Sequence, residues 1–403
     1  MSEKADVVIV GAGPVGLWTA IQILQRRPDM KVRLYERHTE YQRAHVLRLE
    51  TLSTVLYSKS TGNARKDQFY QEIFGKSLSR IFMSAATGSV FIRTNDLEQA
   101  LKSYAQDLGA EIVYDRVASP EAIMARHPEC KTFIAADGAK SPMRVALMGP
   151  DEAAIKTTPL QYITEVKYRA NGKAGRLDLA EQYKTQKLLS HLAFEYVGRE
   201  KEGYTPVSLR FFLTQKTYDA LPDATFAKPL AINDEGLKSV VPELASDIQR
   251  YMKARALHAD ESYDEGSAKL TKLTLSAYVA NQWATTCEDR NWYLVGDAAM
   301  GIPYFRALNS GFFVGSQLGN IVTRDWINDV NRRRLYNAVR PLDKMWEFTS
   351  AFGKNSGLKA YDSFRRASAA SPLEFFSFGR EEAREICAEP EKRVTADNKP
   401  TIS

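Results

Sequence analysis

The feature that most constrains this chain is a strand–turn–helix–strand pattern at its start. Residues 7–10 are a short apolar run, residues 11–16 read GAGPVG, and a helical stretch then leads to a second apolar run that ends at Glu36. A short apolar run of this kind is typical of a strand that is buried on both faces, as in a parallel sheet. The pattern therefore predicts a βαβ unit and an α/β fold class.

The glycine-rich turn has the residues that suit a dinucleotide pyrophosphate. Gly11 permits a tight turn, Gly13 lets the pyrophosphate approach the backbone, and Gly16 allows the helix to pack closely on the strand. The predicted helix from Val15 to Arg27, which follows Pro14, directs free N–H groups and the positive end of its dipole at that pyrophosphate. The candidate cofactor ligands are therefore Gly11, Gly13, Pro14, Val15 and Gly16.

The second strand ends in an acid where the ribose of an adenine dinucleotide is expected. Glu36 follows Gly16 by twenty residues, and a carboxylate at this point can hold ribose hydroxyls. Arg37, the next residue, is a candidate ligand beside it. A chance glycine turn in an ordinary βαβ unit is the alternative, but strand, helix, second strand and acid are all in register. The unit predicts adenine-dinucleotide binding and does not separate NAD from FAD.

The composition is that of an ordinary globular protein. Of the 403 residues, 44% are hydrophobic and 26% are charged, and the formal net charge is +6, which is too small to indicate nucleic-acid binding. The three cysteines form no CxxC pair and the five histidines have no metal-ligand spacing, so neither a disulfide framework nor a metal site is expected. We also expect no signal peptide, no membrane span and a cytoplasmic location.

The pattern along the chain predicts a discontinuous nucleotide domain. Alternating and β-rich runs at 161–168, 192–197 and 207–213 predict a separate sheet, and the last part of the chain is mostly helical, with breaks near Pro341 and Pro372. The expected fold is a Rossmann-like α/β domain with an α+β insertion. Its predicted parts are 1–150 and 285–345 for the nucleotide domain, 151–284 for a β-rich substrate domain, 346–390 for a helical C-terminal region and 391–403 for a polar tail.

Two further motifs follow the glycine turn. Residues 136–144 read ADGAKSPMR, and residues 296–303 read GDAAMGIP. In this order and spacing the three motifs resemble those of the FAD-dependent monooxygenases of the p-hydroxybenzoate hydroxylase type, over about half of the chain. The segments RAHVLRL from residue 43, LEQAL from residue 97 and LGAEI from residue 108 are also similar to the monooxygenase domain of the MICAL proteins, which act on methionines of actin.

The resemblance implies cofactor-binding roles for both of these motifs. Asp297, together with Gly296, would hold the ribityl hydroxyls of FAD, and helix capping by Asp297 is compatible with that role. Asp137 and Gly138 would lie near the FAD phosphates and assist the pyridine nucleotide. A plain Asp-Gly turn after a strand is the alternative for this pair.

The family also places an arginine against the FAD phosphates, after the second strand. Arg43 matches that position, and a guanidinium suits a phosphate because it donates paired N–H bonds. Arg48 on the same segment is the rival candidate, and Arg93 is a further candidate near the flavin.

The third motif departs from the family pattern after Pro303. The family runs Pro-x-x-Gly-x-x-Gly-Leu-Asn, whereas this chain reads PYFRALNSG, so both glycines are absent and the loop is shorter. Leu308 and Asn309 still match, and Arg306 lies where the backbone would approach the flavin ring. We expect Arg306 and Pro303 at the catalytic centre, where the arginine charge would stabilise reduced flavin. A surface arginine, with the dipole of the helix near Asn309 supplying the charge, is the alternative.

The resemblance implies an FAD-dependent monooxygenase. NADH or NADPH would reduce non-covalently bound FAD, and the reduced flavin with O2 would form a C4a-hydroperoxide that hydroxylates an aromatic or heteroaromatic small molecule. The chain has no second glycine-rich βαβ unit, so the nicotinamide cofactor would bind transiently. The alternatives are an FAD-dependent dehydrogenase, reductase or oxidase, MICAL-like oxidation of a protein side chain, and a non-enzymatic binding module. We expect no nucleic-acid partner, and a monomer or homodimer.

Overall fold

The computed structural model divides the chain into two compact units. The first comprises Met1–Pro159 and Ser276–Lys354, and the second comprises Leu160–Leu275 and Asn355–Ser403. The sequence places the corresponding boundaries at residues 150, 284 and 345. The residues that the structure describes are 4–39, 46–55, 64–74, 89–198, 200–303, 306–369 and 379–388.

The strands of the described residues form three sheets. The strands are β1 Val7–Val10, β2 Val32–Glu36, β3 Val46–Glu50, β4 Ser89–Arg93, β5 Glu111–Tyr114, β6 Thr132–Ala135, β7 Ile155–Asn171, β8 Leu192–Val197, β9 Tyr204–Leu213, β10 Leu230–Ala231, β11 Lys269–Ala280, β12 Ala284–Cys287, β13 Arg290–Leu294 and β14 Met300–Gly301. The six-stranded sheet has the order β12-β13-β6-β1-β2-β5, the second sheet has the order β10-β11-β7-β9-β8 with β14 paired to β11, and β3 pairs with β4.

The described helices cover the remaining regular structure. Short 3₁₀ turns lie at Glu265–Ser267 and Gly296–Ala298. The α-helices are α1 Pro14–Arg26, α2 Thr51–Val55, α3 Ala64–Phe74, α4 Thr94–Asp107, α5 Pro120–Arg126, α6 Pro142–Met148, α7 Asp151–Ala154, α8 Leu179–Lys187, α9 Gln215–Ala220, α10 Glu235–Val240, α11 Pro242–His258, α12 Ala307–Val322, α13 Asp329–Ala369 and α14 Arg380–Cys387.

The first unit is built on the six-stranded sheet. Its strands are parallel except for the edge strand β12, and Ile9 in β1 pairs with Leu34 on one side and Ile134 on the other. Every residue of β1 is buried, as its apolar sequence predicts. All the loops that leave the carboxyl ends of these parallel strands therefore meet at one edge of the sheet.

Helices α1 and α12 pack closely because glycines recur every fourth residue on α12. A Cβ atom on Gly311 would lie 2.5 Å from a methyl of Val15, and one on Gly315 would lie 2.5 Å from the hydroxyl of Thr19. Trp18 joins the same two helices, since its indole N–H donates to the Ser316 hydroxyl at 2.8 Å. This contact holds the start of both helices at the sheet edge where the motifs lie.

The second unit is built on the antiparallel sheet. Strand β9 pairs with β7 and with β8, and helix α11 contributes much of the apolar core behind the sheet. The fully buried guanidinium of Arg255 binds the carboxylates of Glu195 and Glu261. A buried charge of this kind is tolerated because it is paired and hydrogen-bonded.

Helix α13 corrects one sequence-based prediction. The sequence predicts a helix break near Pro341, but the helix is continuous from Asp329 to Ala369 with Pro341 inside it. Side chains before the proline anchor this helix, because Tyr336 donates to the Leu294 carbonyl oxygen at 2.8 Å and Asn337 donates to the Ala284 carbonyl oxygen at 2.9 Å. Tertiary contacts of this kind can offset the one donor that a proline removes. Pro372 and the polar tail lie outside the described residues.

Candidate functional site

A cavity of about 440 Å³ lies in the first unit, where the parallel strands β1, β2, β6 and β13 end. Ligands bind at this edge in open α/β sheets, and the volume is in the range of small-molecule and cofactor sites. All three sequence motifs contribute to its wall. The predicted site residues that line it are Gly11, Gly13, Pro14, Val15, Glu36, Arg37, Asp137, Gly138, Gly296, Asp297 and Leu308.

The glycine turn has the geometry that close backbone approach requires. Gly11 has φ +105°, and a Cβ there would lie 2.4 Å from the Ala136 carbonyl oxygen; a Cβ on Gly16 would lie 2.0 Å from the Gly11 carbonyl oxygen. At Gly13, by contrast, no atom lies within 4 Å of the Cβ position. Gly13 also has no side chain to cap α1, so the amides of the first helical turn can bind an anionic ligand. This cradle fits a pyrophosphate.

The carboxylate of Glu36 is held in place at the end of β2. The Ala12 amide donates to Glu36 Oε2 at 2.9 Å, and the His38 amide donates to Oε1 at 3.1 Å. Each carboxylate oxygen can accept more than one hydrogen bond, so both keep capacity for a hydroxyl donor. The residue is therefore oriented beside the glycine turn, as a ligand of ribose would be.

Asp137 has a structural role in addition to lining the cavity. Its Oδ2 accepts from the Met143 amide at 3.0 Å and its Oδ1 accepts from the Ser141 hydroxyl, so the carboxyl group fixes the start of α6. Burial raises the pKa of Asp137 above its usual range. Gly138 follows with φ +89°, which completes an Asp-Gly turn. Asp137 therefore stabilises the turn and also lines the cavity, and Gly138 is open to the cavity.

Arg144 connects the second motif to the third, a role that the sequence pattern does not assign. Its guanidinium is completely buried and donates to the Ala298 carbonyl oxygen at 2.9 Å, to the Ala139 carbonyl oxygen at 2.8 Å and to the Asp151 carboxylate at 2.9 Å. The only sequence signal is its place at the end of the second motif. Arg144 therefore positions the 3₁₀ turn that carries Asp297.

The third motif places Gly296 and Asp297 directly after β13. Gly296 has φ +59°, and a Cβ there would lie 3.1 Å from the Val15 side chain. The Asp297 carbonyl oxygen accepts from the Tyr278 hydroxyl at 2.8 Å, which fixes the turn while the residue lines the cavity. The residue at the N-cap position of α12 is Arg306, so Asp297 does not cap that helix.

Arg306 makes an ion pair with Glu347 of α13. Nε lies 2.5 Å from Glu347 Oε2, and Nη2 lies 3.0 Å from Oε1. Both side chains are mostly buried, at 16% and 10% exposure, and the hydrogen bonds to Glu347 raise the pKa of Arg306. Neither Arg306 nor Pro303 is among the residues that line the cavity, although Ile302 and Ala307 next to them are. The arginine charge is therefore balanced by a carboxylate.

The side chain of Asn309 binds the segment that joins β3 to α2. Its Oδ1 accepts from the Glu50 amide at 2.8 Å and from the Ser53 hydroxyl at 2.9 Å, so it holds the junction of β3 and α2. Arg43 lies outside the described residues. Arg48 and Arg93 lie on the paired strands β3 and β4.

Several cavity-lining residues have no sequence motif. They come from the end of β2, from α4 and from the segment after β5, and nothing in their spacing marks them as ligands. They include His38, Thr94, Glu98, Asp115 and Arg116. The parallel pairing of β5 with β2 is what brings this segment to the cavity, and such pairing is not visible in the sequence.

Three polar residues of the predicted substrate sheet contact other side chains of the second unit. His191 Nδ1 lies 2.8 Å from the Asp247 carboxylate, and Arg210 Nε donates to Glu165 at 2.9 Å. Tyr196 has the Arg210 guanidinium 4.5 Å from its ring centroid. Each of the three side chains therefore has a partner within the second unit.

Solved structures of a hydroxylase, an oxygenase and a protein studied for oxidation in a biosynthesis have the same fold. The anhydrotetracycline hydroxylase OxyS from Streptomyces rimosus has a TM-score of 0.54 and 17% identity over 96% of this chain and 76% of its own. BexE, described for oxidation during BE-7585A biosynthesis, has a TM-score of 0.56 and 15% identity over the same shares. A tetrameric form of 2-methyl-3-hydroxypyridine-5-carboxylic acid oxygenase has a TM-score of 0.50 and 15% identity, over 93% of this chain and 96% of its own.

These similarities confirm the fold predicted from the sequence: an α/β domain with an inserted antiparallel sheet and a helical C-terminal region. No protein-family model and no curated protein matches the chain by sequence. Among the described residues, no helix is long and apolar enough to cross a membrane. The same residues contain no cluster of His, Cys, Asp and Glu that could hold a metal ion.

Proposed function

We propose that the chain is an FAD-dependent monooxygenase that uses NADH or NADPH and O2 to hydroxylate an aromatic or heteroaromatic small molecule. The observation that carries the proposal is that one cavity gathers residues of all three motifs. Those motifs are far apart in sequence, and a resemblance in motifs alone does not require them to meet. The fold shared with a hydroxylase and an oxygenase supports the same reaction class.

The residues around the cavity suit each part of FAD. The amides at the start of α1, beside Gly13, would bind the pyrophosphate, and Glu36 would bind the ribose hydroxyls. Asp297 would bind the ribityl chain. No cysteine or histidine is expected to link the flavin covalently, so the complex would be non-covalent.

The start of α12 is the part of the chain best suited to the flavin ring. Ala307 and Leu308 line the cavity in the first turn of this helix, and the positive end of the helix dipole is directed out of that turn. Bound FAD would accept electrons from NAD(P)H and supply activated oxygen to the substrate. The chain itself would orient the flavin, exclude water and favour negative charge near the ring.

The substrate class rests on the names of structural neighbours. OxyS is an anhydrotetracycline hydroxylase, and another neighbour is an oxygenase of a hydroxypyridine carboxylic acid. Both names describe hydroxylated aromatic or heteroaromatic rings, which we propose as the class of substrate for this chain. A MICAL-like protein substrate is the competing assignment, and it predicts oxygen insertion into methionine.

A direct test uses the purified protein. We expect it to be yellow, to release FAD on acid precipitation, and to oxidise NADH or NADPH faster when a suitable phenolic or heteroaromatic compound is present. A protein that is colourless and cannot be reconstituted with FAD would contradict the proposal. Flavin that stays with the acid precipitate would contradict the non-covalent part alone. NAD(P)H oxidation that needs an electron acceptor other than O2 would indicate a dehydrogenase or reductase.

A further inference from the structure

Glu98 is one of five residues with a carboxyl group that line the cavity, together with Glu36, Asp115, Asp137 and Asp297. Helix α4 buries Leu97 and Leu101 in the first unit, whereas Thr94 and Glu98, which are one helical turn apart, line the cavity. Glu98 is therefore presented to the same space as Glu36 by the geometry of the helix. This position has no counterpart in the three motifs.

Glu36 and Glu98 differ in the hydrogen bonds that their carboxyl groups accept. Both oxygens of Glu36 accept backbone N–H groups, from Ala12 and His38. In the part of the chain that the structure describes, no hydrogen-bond donor contacts Glu98. A half-buried carboxyl group without a donor has little that favours its charged form over the neutral acid.

Charged groups face Glu98 from its own helix and from β2. Lys102 lies one turn further along α4, with its ammonium 4.8 Å from the centroid of the Tyr114 ring, and Glu36 faces Glu98 from β2. Burial raises the pKa of Glu98 to about 7, Lys102 opposes this rise, and Glu36 adds to it. Asp115 is paired with Arg126 at 2.5 Å. The other charged or titratable groups on this part of the wall are exposed: Arg37, His38 and Arg116.

We infer that Glu98 is a cofactor-binding residue that is a neutral acid in the complex, so that a dinucleotide binds to this cavity with uptake of one proton. The inference rests on the proposed function. A bound dinucleotide removes water from Glu98 and brings two negative phosphate charges into the cavity, and both changes favour the protonated form. The proton comes from solvent. A neutral carboxylic acid donates a hydrogen bond to a hydroxyl or ring nitrogen of the ligand, which a carboxylate cannot do.

The affinity for FAD should therefore fall as pH rises through 7. Below the pKa of the free protein the proton is already present and affinity is highest; above it, each binding event must take a proton from solution. Holoenzyme is diluted at a series of pH values, and released FAD is followed by its fluorescence. Between pH 6 and pH 8 the dissociation constant of the wild type should rise about tenfold.

Two variants separate Glu98 from the other groups. Glu98→Gln keeps the shape and the donor of the neutral acid, so it should bind FAD at pH 8 as the wild type does at pH 6, with a flat pH profile. Asp115→Asn removes another acid from the same cavity wall. Because Asp115 is paired with Arg126, this variant should keep the wild-type dependence of the FAD dissociation constant on pH. An unchanged slope in Glu98→Gln would assign the pH dependence to another group and would overturn the inference.

A measurement on the wild type makes the result independent of any variant. Calorimetric titration with FAD at pH 8, in two buffers of different ionisation enthalpy, should give an uptake of close to one proton. An uptake near zero with normal FAD binding would overturn the inference and leave the proposed function standing. Failure of the protein to bind FAD at all would overturn both.

Discussion

Glu347 and Arg306 are joined by two side-by-side hydrogen bonds, Oε2 to Nε at 2.5 Å and Oε1 to Nη2 at 3.0 Å. The pair connects α13 to the N-cap of α12, where the first helical turn lines the cavity. An arginine that is free to act on a flavin would supply a full positive charge. In this protein a mostly buried carboxylate balances that charge, so the electrostatic effect at the start of α12 depends on both residues of the pair.

The pair gives a prediction for the redox potential of bound flavin. Glu347→Gln should leave Arg306 uncompensated and make the flavin easier to reduce, whereas Arg306→Ala should leave Glu347 uncompensated and make it harder to reduce. A shift of about 20–60 mV in either direction corresponds to about 1–3 kcal/mol for two electrons. The double variant Arg306→Ala/Glu347→Ala removes no net charge and is the matched control. Unchanged midpoint potentials in both single variants would place the pair away from the flavin.

Glu36→Ala and Asp297→Ala should each weaken FAD binding. Loss of charge-assisted hydrogen bonds to ribose or ribityl hydroxyls costs about 1–3 kcal/mol, which corresponds to about a 5- to 150-fold rise in dissociation constant. Asp289→Ala is the control, because Asp289 is an exposed acid that pairs with Lys131 outside the cavity. Fluorescence titration measures the three constants. Wild-type affinity in either cavity variant would remove that residue from the ligand set.

Gly315→Ala should destabilise the first unit. Its new methyl would lie 2.5 Å from the Thr19 hydroxyl. Either α1 and α12 would have to separate or the Thr19 side chain would have to move. Overpacking of this kind costs about 1–3 kcal/mol of unfolding free energy. Gly353→Ala in α13 is the control, since no atom lies within 4 Å of that Cβ position, and it should be neutral or stabilising. Urea unfolding that ranks the two variants in the opposite order would contradict the close packing.

Glu98 also predicts how stability depends on pH in flavin-free protein. The folded pKa of about 7 is above the ordinary value for glutamate, so the folded state binds the proton more tightly than the unfolded state. The stability that this proton contributes is complete below about pH 4 and is lost as pH rises through 7. Glu98→Gln should then be more stable than the wild type at pH 8, by about 1–2 kcal/mol after allowance for solvent screening. Denaturation at pH 5 should show a smaller difference, and a difference that does not vary with pH would argue against a raised pKa.

The sequence predicted most of what local geometry determines. The β1–α1–β2 unit could be inferred because only glycine fits where a Cβ on Gly11 or Gly16 would meet backbone atoms. The middle sheet followed from β-rich runs, and the shared fold confirms it. The break at Pro341 was wrong, because contacts distant in sequence hold α13 together.

What the sequence did not reveal depends on partners that are distant in the chain. Arg306 and Glu347 are 41 residues apart, and no pattern indicates that the arginine charge is balanced. The sequence pattern gives Arg144 no role, because its acceptors include the carbonyl oxygen of Ala298, far along the chain. The close contact of α1 and α12 could have been inferred from the spacing of Gly311, Gly315 and Gly319, since small residues at every fourth position of a helix permit close packing, but it is not among the features predicted above.

Isotope labelling measures directly whether this protein inserts oxygen from O2 into an organic compound. The protein is loaded with FAD and supplied with NAD(P)H and 18O2, and a set of phenolic and heteroaromatic compounds is screened by mass spectrometry. We expect a product that contains one 18O atom, and no label in the product when 18O is supplied as water instead. A product that forms with NAD(P)H oxidation but contains no oxygen from O2 would contradict a monooxygenase and indicate a dehydrogenase, reductase or oxidase on the same fold.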